Sequence, residues 1–441
     1  MMLNRNISRS RGQVVIFAVF GLVLYLVLGI TWVVGQEPSR PTETRDPKSF
    51  GAVCDGTHDD TRALQDTIIK ASTDPHAPVR VVIPNNCVSG PLKIGSNQWI
   101  EFAEGATLRA LPGSFTTLTS SFLTMAGQHN VTIKGNHATL LMNRDEYRDG
   151  EWRAGVLIYQ STNVQIDNLK VVGAAGDGFT IKGVVTPDNI KLIDVAADHC
   201  ARNGISIISG RNVLIQRALL TYTGPNGRGT AAHGPWAGLD VEPNGVAGEV
   251  LENIRLEDLH TISNDGAGLQ FTIHSMPEVT ITVSGLHSEN DGRRTQAGGL
   301  YYGGILFGTG GGNPVAPVKG QILIEGTTIS TPNGSGVLWS NWSANEPLII
   351  LRNTRIHNPG AQTTNINRCG LYYNVHDSSF GSKYAPGAHL NVQVDGLVVS
   401  DDNNRLIRAV WFEGDAGHPL KVTVNNVQEE GREARVQVKV R

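Results

Sequence analysis

The stretch GFTIKGVVTPDNIKLIDVAADHCARNGISII, residues 178–208, begins and ends on the same phrase, a glycine followed by apolar residues that alternate with polar ones. Between the two glycines lies a second apolar segment, NIKL at Asn189. The glycine phrase recurs as GVLIY at Gly155, GLDVE at Gly238, GLQFT at Gly268, GILFG at Gly304 and GVLWS at Gly336. Each has a companion downstream: NVQI at Asn163, NVLI at Asn212, NIRL at Asn253, EVTI at Glu278, QILI at Gln321 and PLII at Pro347. Successive starts lie from 23 residues (Gly155 to Gly178) to 36 residues (Gly268 to Gly304) apart, the scale of a solenoid coil and too long for a hairpin. A β-sandwich has no need of a fixed phase between a glycine-led strand and its companion. The pattern predicts an all-β fold, a right-handed parallel β-helix whose strands pair with the coils before and after.

Composition agrees. The chain has 441 residues, 40% hydrophobic, with 51 Gly against 11 Phe and only 17% charged residues, so it can build a core from tight turns and short strands more readily than from long helices. A formal net charge of -3 gives no general attraction to nucleic acid, and none is expected as a partner. The four cysteines, Cys54, Cys87, Cys200 and Cys369, show no CxxC spacing and so no zinc signature. Cys54 and Cys87 can form a disulfide in an exported chain, or all four can be buried thiols.

Residues 1–12 carry Arg5, Arg9 and Arg11, and residues 13–35, QVVIFAVFGLVLYLVLGITWVVG, are uncharged and long enough to cross a bilayer as a helix. The basic flank predicts a cytoplasmic N-terminus and export of the chain beyond Gly35, with 13–35 as a membrane anchor or a signal peptide. Its length favours the anchor. Residues 36–47 read as a polar linker, 48–441 as the β-helix domain, and 372–441, where the glycine phase is lost, as terminal coils or a cap.

Ahead of the first clear coil, HDDTRALQDTIIKAS, residues 58–72, places Asp59 and Asp60 at a helix start and Leu64, Ile68 and Ala71 on one face. Such a helix can cover the open edge of the first coil. The surrounding SFGAVCDGTHDDTRALQDTI, residues 49–68, resembles the opening motif of the pectate-lyase superfamily of right-handed parallel β-helix proteins, with Cys54 where that motif usually has Gly. With the coils, the resemblance covers most of the chain from Phe50 to about Ile356. It implies the fold and its cap. For function it implies a class: polygalacturonase-like hydrolases, pectate lyases, uronate epimerases and phage-type depolymerases are its members.

Stacking the coils on their glycines yields two polar columns. Thr180, Ser206, Asp240 and Gln270 stand two places after the glycine, and Lys182, Ile208, Glu242 and Thr272 four places after it. Asp240 and Glu242 should share one outward face of their strand, where strand interiors usually exclude carboxylates. Long loops at residues 221–237 and 287–303 precede glycine-led strands and should wall a groove over this strip. They supply Tyr222, Trp236, Tyr301 and Tyr302 for stacking on sugars, and Arg228, Arg293 and Arg294 for acidic groups. Asp177-Gly178, Asn203-Gly204 and Asp265-Gly266 read as turn formers.

The polygalacturonase-like signature does not transfer. Asp177 fits its first aspartate, but Asp198 is out of phase, His233 precedes its strand by several residues, and the Arg-x-Lys is missing. The site therefore rests on Asp240, Glu242 and His233 as catalytic candidates, with Lys182, Arg202, Tyr222, Arg228, Trp236, Gln270, Arg293 and Tyr301 as substrate-binding candidates. The leading expectation is an exported hydrolase of a uronate-containing polysaccharide with Asp240 and Glu242 as acid and base. A lyase or epimerase would use His233 or Tyr222 as base and Arg228, Arg293 or a Ca²⁺ held by Asp240 and Glu242 as cation. Beyond that possible Ca²⁺ no cofactor is expected. A carbohydrate-binding surface protein is the reading from another class.

Overall fold

The computed structural model describes residues 41, 43–69, 79–147, 152–225, 234–273, 276–294, 302–308, 318–340, 347–361, 368–376 and 390–440. The apolar run 13–35 lies outside them, as do Arg228, His233 and Tyr301. Among the described residues no helix is long and apolar enough to cross a membrane.

Each glycine phrase is a strand of one sheet, with twelve strands among the described residues, and each companion lies in another of twenty. Successive coils pair in parallel, as Phe179–Lys182 does with Val156–Tyr159 on one side and Ile205–Ile207 on the other. A chain that passes repeatedly from one sheet to the other, with strands paired in parallel to the preceding and following coil, forms a right-handed parallel β-helix.

Two side-chain columns set the phase. A Cβ on Gly178, Gly204 or Gly238 would lie 2.6, 2.5 and 2.6 Å from the carbonyl oxygen of the glycine one coil on, so the coils can stack this closely only with glycine there. The asparagines that lead the companion strands, Asn130, Asn163, Asn189, Asn212 and Asn253, have φ between 51° and 55°, in the left-handed region that Asn tolerates. Their carboxamides bond from coil to coil: Asn130 Nδ2 donates to Asn97 Oδ1 at 2.9 Å, Asn163 to Asn130 at 3.0 Å, Asn189 to Asn163 at 2.9 Å and Asn253 to Asn212 at 2.8 Å. The inward faces carry Val, Ile, Leu and a file of rings, Phe271 on Phe307 at 5.1 Å and Phe307 on Trp339 at 5.2 Å.

The cap is the helix Thr61–Ile69, which buries Ala63, Leu64, Thr67 and Ile68. Asp59 caps it, accepting from Thr61 N at 3.0 Å, while Asp60 turns inward and accepts from Val53 N at 2.7 Å and Val88 N at 3.2 Å. Beside it Cys54 and Cys87 form a disulfide, and Cys200 and Cys369 are buried free thiols. The stretch 36–47 is not wholly linker: Glu43–Arg45 pairs in parallel with Val79–Ile83, giving the edge strand of the first coil a partner. At the other end Cys369–Asn374, Arg408–Gly414 and Val436–Val440 continue the twelve-stranded sheet as terminal coils, with Gly370 the last glycine in the stack.

Candidate functional site

On the outward side of the twelve-stranded sheet the predicted column is present in register: Thr180 pairs with Ser206, Ser206 with Asp240, and Asp240 with Gln270. What the column does not have at Asp240 is exposure. Asp240 is 0% exposed, and the Glu242 side chain is 25% exposed, so the expectation of two carboxylates on an open face holds only for Glu242. The Arg294 guanidinium lies 4.4 Å from the Trp236 ring centre. Tyr302, largely buried, feels the charges of both Arg294 and Asp240, and burial raises its phenol above the ordinary range. Of the paired loop residues singled out in the sequence, Tyr302 therefore stands within reach of Asp240's charge, with Arg294 beside Tyr302 and Trp236. Arg293 is exposed and donates instead to Ser263 O at 3.3 Å.

Arg202 organises the floor. Its Nη1 donates to Asp177 at 3.2 and 3.3 Å, and its Nη2 donates to Glu242 Oε2 at 3.0 Å. Asp177, read from the sequence as a turn former, also accepts from Thr180 Oγ1 at 3.0 Å and from Asn203 N at 3.1 Å. Asn203 sends Nδ2 to Ser206 Oγ at 3.0 Å and to Asp240 Oδ2 at 3.4 Å, while its Oδ1 accepts from Ala237 N at 2.8 Å. Asp177 and Asn203 are thus members of the site that a turn-type reading hides. Their signal was present: both fall in the stack just ahead of the glycines, beside Arg202.

Burial and then the charge of Glu242 raise Asp240 well above the ordinary carboxylate range, against the pull of Arg202. Of the two carboxyls Asp240 is the one whose surroundings favour the neutral form. Its Oδ1 has no hydrogen-bond partner among the described residues, and neither has Oε1 of the neighbouring Gln270, whose Nε2 donates to Thr272 Oγ1 at 3.0 Å. Lys182 completes the floor on the side of the earlier coils. Its Nζ sits 5.6 Å from the Trp152 ring centre, and burial lowers its pKa, with Arg202 acting the same way and Asp177 opposing. Tyr222 stands at a coil corner, its ring stacked on His199 at 5.0 Å, and His199 Nδ1 is 2.6 Å from Asp198. Among the described residues Asp240 and Glu242 belong to no group of three ligand atoms close enough to hold a cation.

No protein-family model matches the chain. The uncharacterized protein YclG of Bacillus subtilis (strain 168) is 27% identical over 182 residues, 37% of this chain and 30% of that protein, so the match spans under a third of the relative's length. Among solved structures, the A-module of the Azotobacter vinelandii mannuronan C-5 epimerase AlgE4 superposes with a TM-score of 0.53 at 13% identity, covering 90% of this chain and 100% of that one. The family 28 exopolygalacturonase of Yersinia enterocolitica gives 0.51 at 12% identity, covering 90% and 79%. At such identities the likeness is one of fold: the chain shares the right-handed parallel β-helix fold of these proteins, the fold that the motif at residues 49–68 implied.

Proposed function

We propose that this protein is a polysaccharide-active enzyme, a hydrolase of a uronate-containing glycan, with Asp240 and Glu242 as its acid/base pair. The observation that carries the reading is the pairing of a buried Asp240, whose surroundings favour its neutral form, with a partly exposed Glu242 bound to Arg202. Carboxyl groups whose environments drive their protonation apart are how one site keeps an acid and a base at neutral pH. In this reading Glu242 meets the substrate and Asp240 holds the proton behind it. The pair gives one proton to the leaving glycosidic oxygen and takes one from the water that attacks the anomeric carbon. Arg202 and Lys182 would attract the carboxylate of a uronate ring. The fold is shared with proteins named as a mannuronan epimerase and an exopolygalacturonase, which supports the substrate class. His233, Arg228 and Tyr301 remain candidates of the same groove by their place in the sequence.

A second reading, elimination or C5 epimerisation, is favoured by one feature. The two carboxyls sit side by side on one strand with two cations, whereas hydrolases usually hold them across the substrate at about 5–5.5 Å or 6.5–9.5 Å. We place the domain outside the cytoplasm, anchored or released through residues 13–35. The Cys54–Cys87 disulfide supports that, because such bonds persist in oxidising compartments.

The test is a panel of plant, algal and bacterial polysaccharides incubated with the purified protein. New reducing ends without absorbance near 235 nm, undiminished by chelator, are expected. Unsaturated products, or altered uronate composition without cleavage, would transfer the site to the second reading, and glycan binding without any conversion would overturn both.

A further inference from the structure

The outward column of the twelve-stranded sheet changes character one strand beyond Gln270. Its next members are Leu306, Leu338, Tyr372 and Trp411, in register with Gln270 and with one another. Leu306, Leu338 and Tyr372 are buried and pack with Ala267 and Cys369 into an apolar cluster separate from the interior core, with Tyr302, Ile407 and Trp411 against it. Strands of neighbouring coils lie about 4.8 Å apart, so this plug begins roughly 10 Å beyond Asp240 along the helix axis. Tyr302 and the Arg294–Trp236 stack stand on the same side.

In the opposite direction the described residues become more exposed. Going back from Glu242, the strip passes Lys182 and reaches Trp152, which is 51% exposed, with the half-buried Leu157 and Tyr159 on the strand one coil before Lys182. An exposed indole with an ammonium over its ring offers a flat face and a charge together, the two features an acidic pyranose can use at once.

We infer that the site takes the end of a polyuronate chain and not its middle. The terminal sugar lies against the plug, the bond to be broken lies over Glu242, and the rest of the chain leaves across Lys182 and Trp152. This rests on the proposed function but goes beyond it, because a carboxylate pair and two cations would serve a mid-chain cleft equally well. The buried apolar column distinguishes the two.

The experiment is product sizing from end-labelled oligouronates of increasing length, in the first few per cent of conversion. The expected result is a single short product released from one end at every length, with the viscosity of a long polymer falling slowly. For Trp152→Ala, whose exposed position makes folding insensitive to the change, KM for long oligomers should rise about 3- to 10-fold, with kcat within about 2-fold and a smaller effect on the shortest substrate. Early products of mixed length, with a rapid fall in viscosity, would overturn the inference and leave the proposed function standing. An unchanged KM in Trp152→Ala would overturn the exit path, and no turnover on any uronate polymer would overturn the inference together with the reading beneath it.

Discussion

Asp240 and Asp291 are both fully buried, and in both burial is the largest influence raising the carboxyl pKa. Their surroundings differ completely. Asp291 accepts four hydrogen bonds, from Thr261 Oγ1 at 2.6 Å, Ser288 Oγ at 2.7 Å, Asn264 N at 2.9 Å and Asn264 Nδ2 at 2.8 Å. A glycine makes room for them: a Cβ on Gly268 would come within 2.4 to 2.7 Å of Thr261, Asp291 and Ser288 oxygens. Asp240 has one long bond from Asn203, an Oδ1 without a partner among the described residues, and another carboxyl beside it. A buried acid with a full set of donors joins coils together. One facing a second acid destabilises the fold unless it stays protonated, and such an arrangement is tolerated where the proton has a use.

The largest expected effect is on turnover. Glu242→Gln and Asp240→Asn should each lower kcat by about 10²- to 10⁴-fold on the substrate found in the panel. The thermal midpoint of Asp240→Asn should be unchanged or higher, because the amide is neutral, keeps the shape and relieves repulsion with Glu242. A marked loss of stability with activity retained would make Asp240 a scaffold residue like Asp291. Next in size, Asp291→Ala should cost about 3–5 kcal/mol in denaturant unfolding, since it strands donors inside the coil, while the folded fraction keeps its turnover. Little change in stability would break the contrast from the other side.

The third effect is one of pH. Asp291 stands at about 6 when folded and near 3.8 as a free aspartate. The folded state therefore binds this proton more tightly than the unfolded one. Its unfavourable contribution is absent below about pH 4, grows between pH 4 and 6, and reaches about 3 kcal/mol above that. Whatever its offset, the stability of Asp291→Asn relative to the parent should rise across that window and level off above it. A flat difference would show that the four donors compensate burial fully. The smallest effect belongs to Gln270→Leu, which removes a buried acceptor that has no partner among the described residues and should shift stability by less than about 1 kcal/mol. A larger loss would give that oxygen a partner, most simply the proton of Asp240.

Much of the fold was legible because the same two constraints recur in every coil. Glycine is required where stacked backbones meet, and asparagine where the chain turns into its second strand with positive φ and a carboxamide ladder. The columns of the site followed from that phase, and so did the neighbourhood of Arg202, Asp240 and Glu242. Burial did not follow. It depends on what lies over the strand, and a loop residue such as Tyr302, which feels the charge of Asp240, has no period to place it. Asp177 and Asn203 were hidden by being plausible turn residues, and Trp152 by standing outside any repeat.

The central claim is that Asp240 keeps its proton beside Glu242, and infrared difference spectroscopy of the parent against Asp240→Asn at about pH 8 tests it most directly, since Asp291 is then ionised and silent. A protonated-carboxyl C=O band should be present in the parent and lost in Asp240→Asn. Spectra of parent and variant without any protonated-carboxyl difference would contradict it.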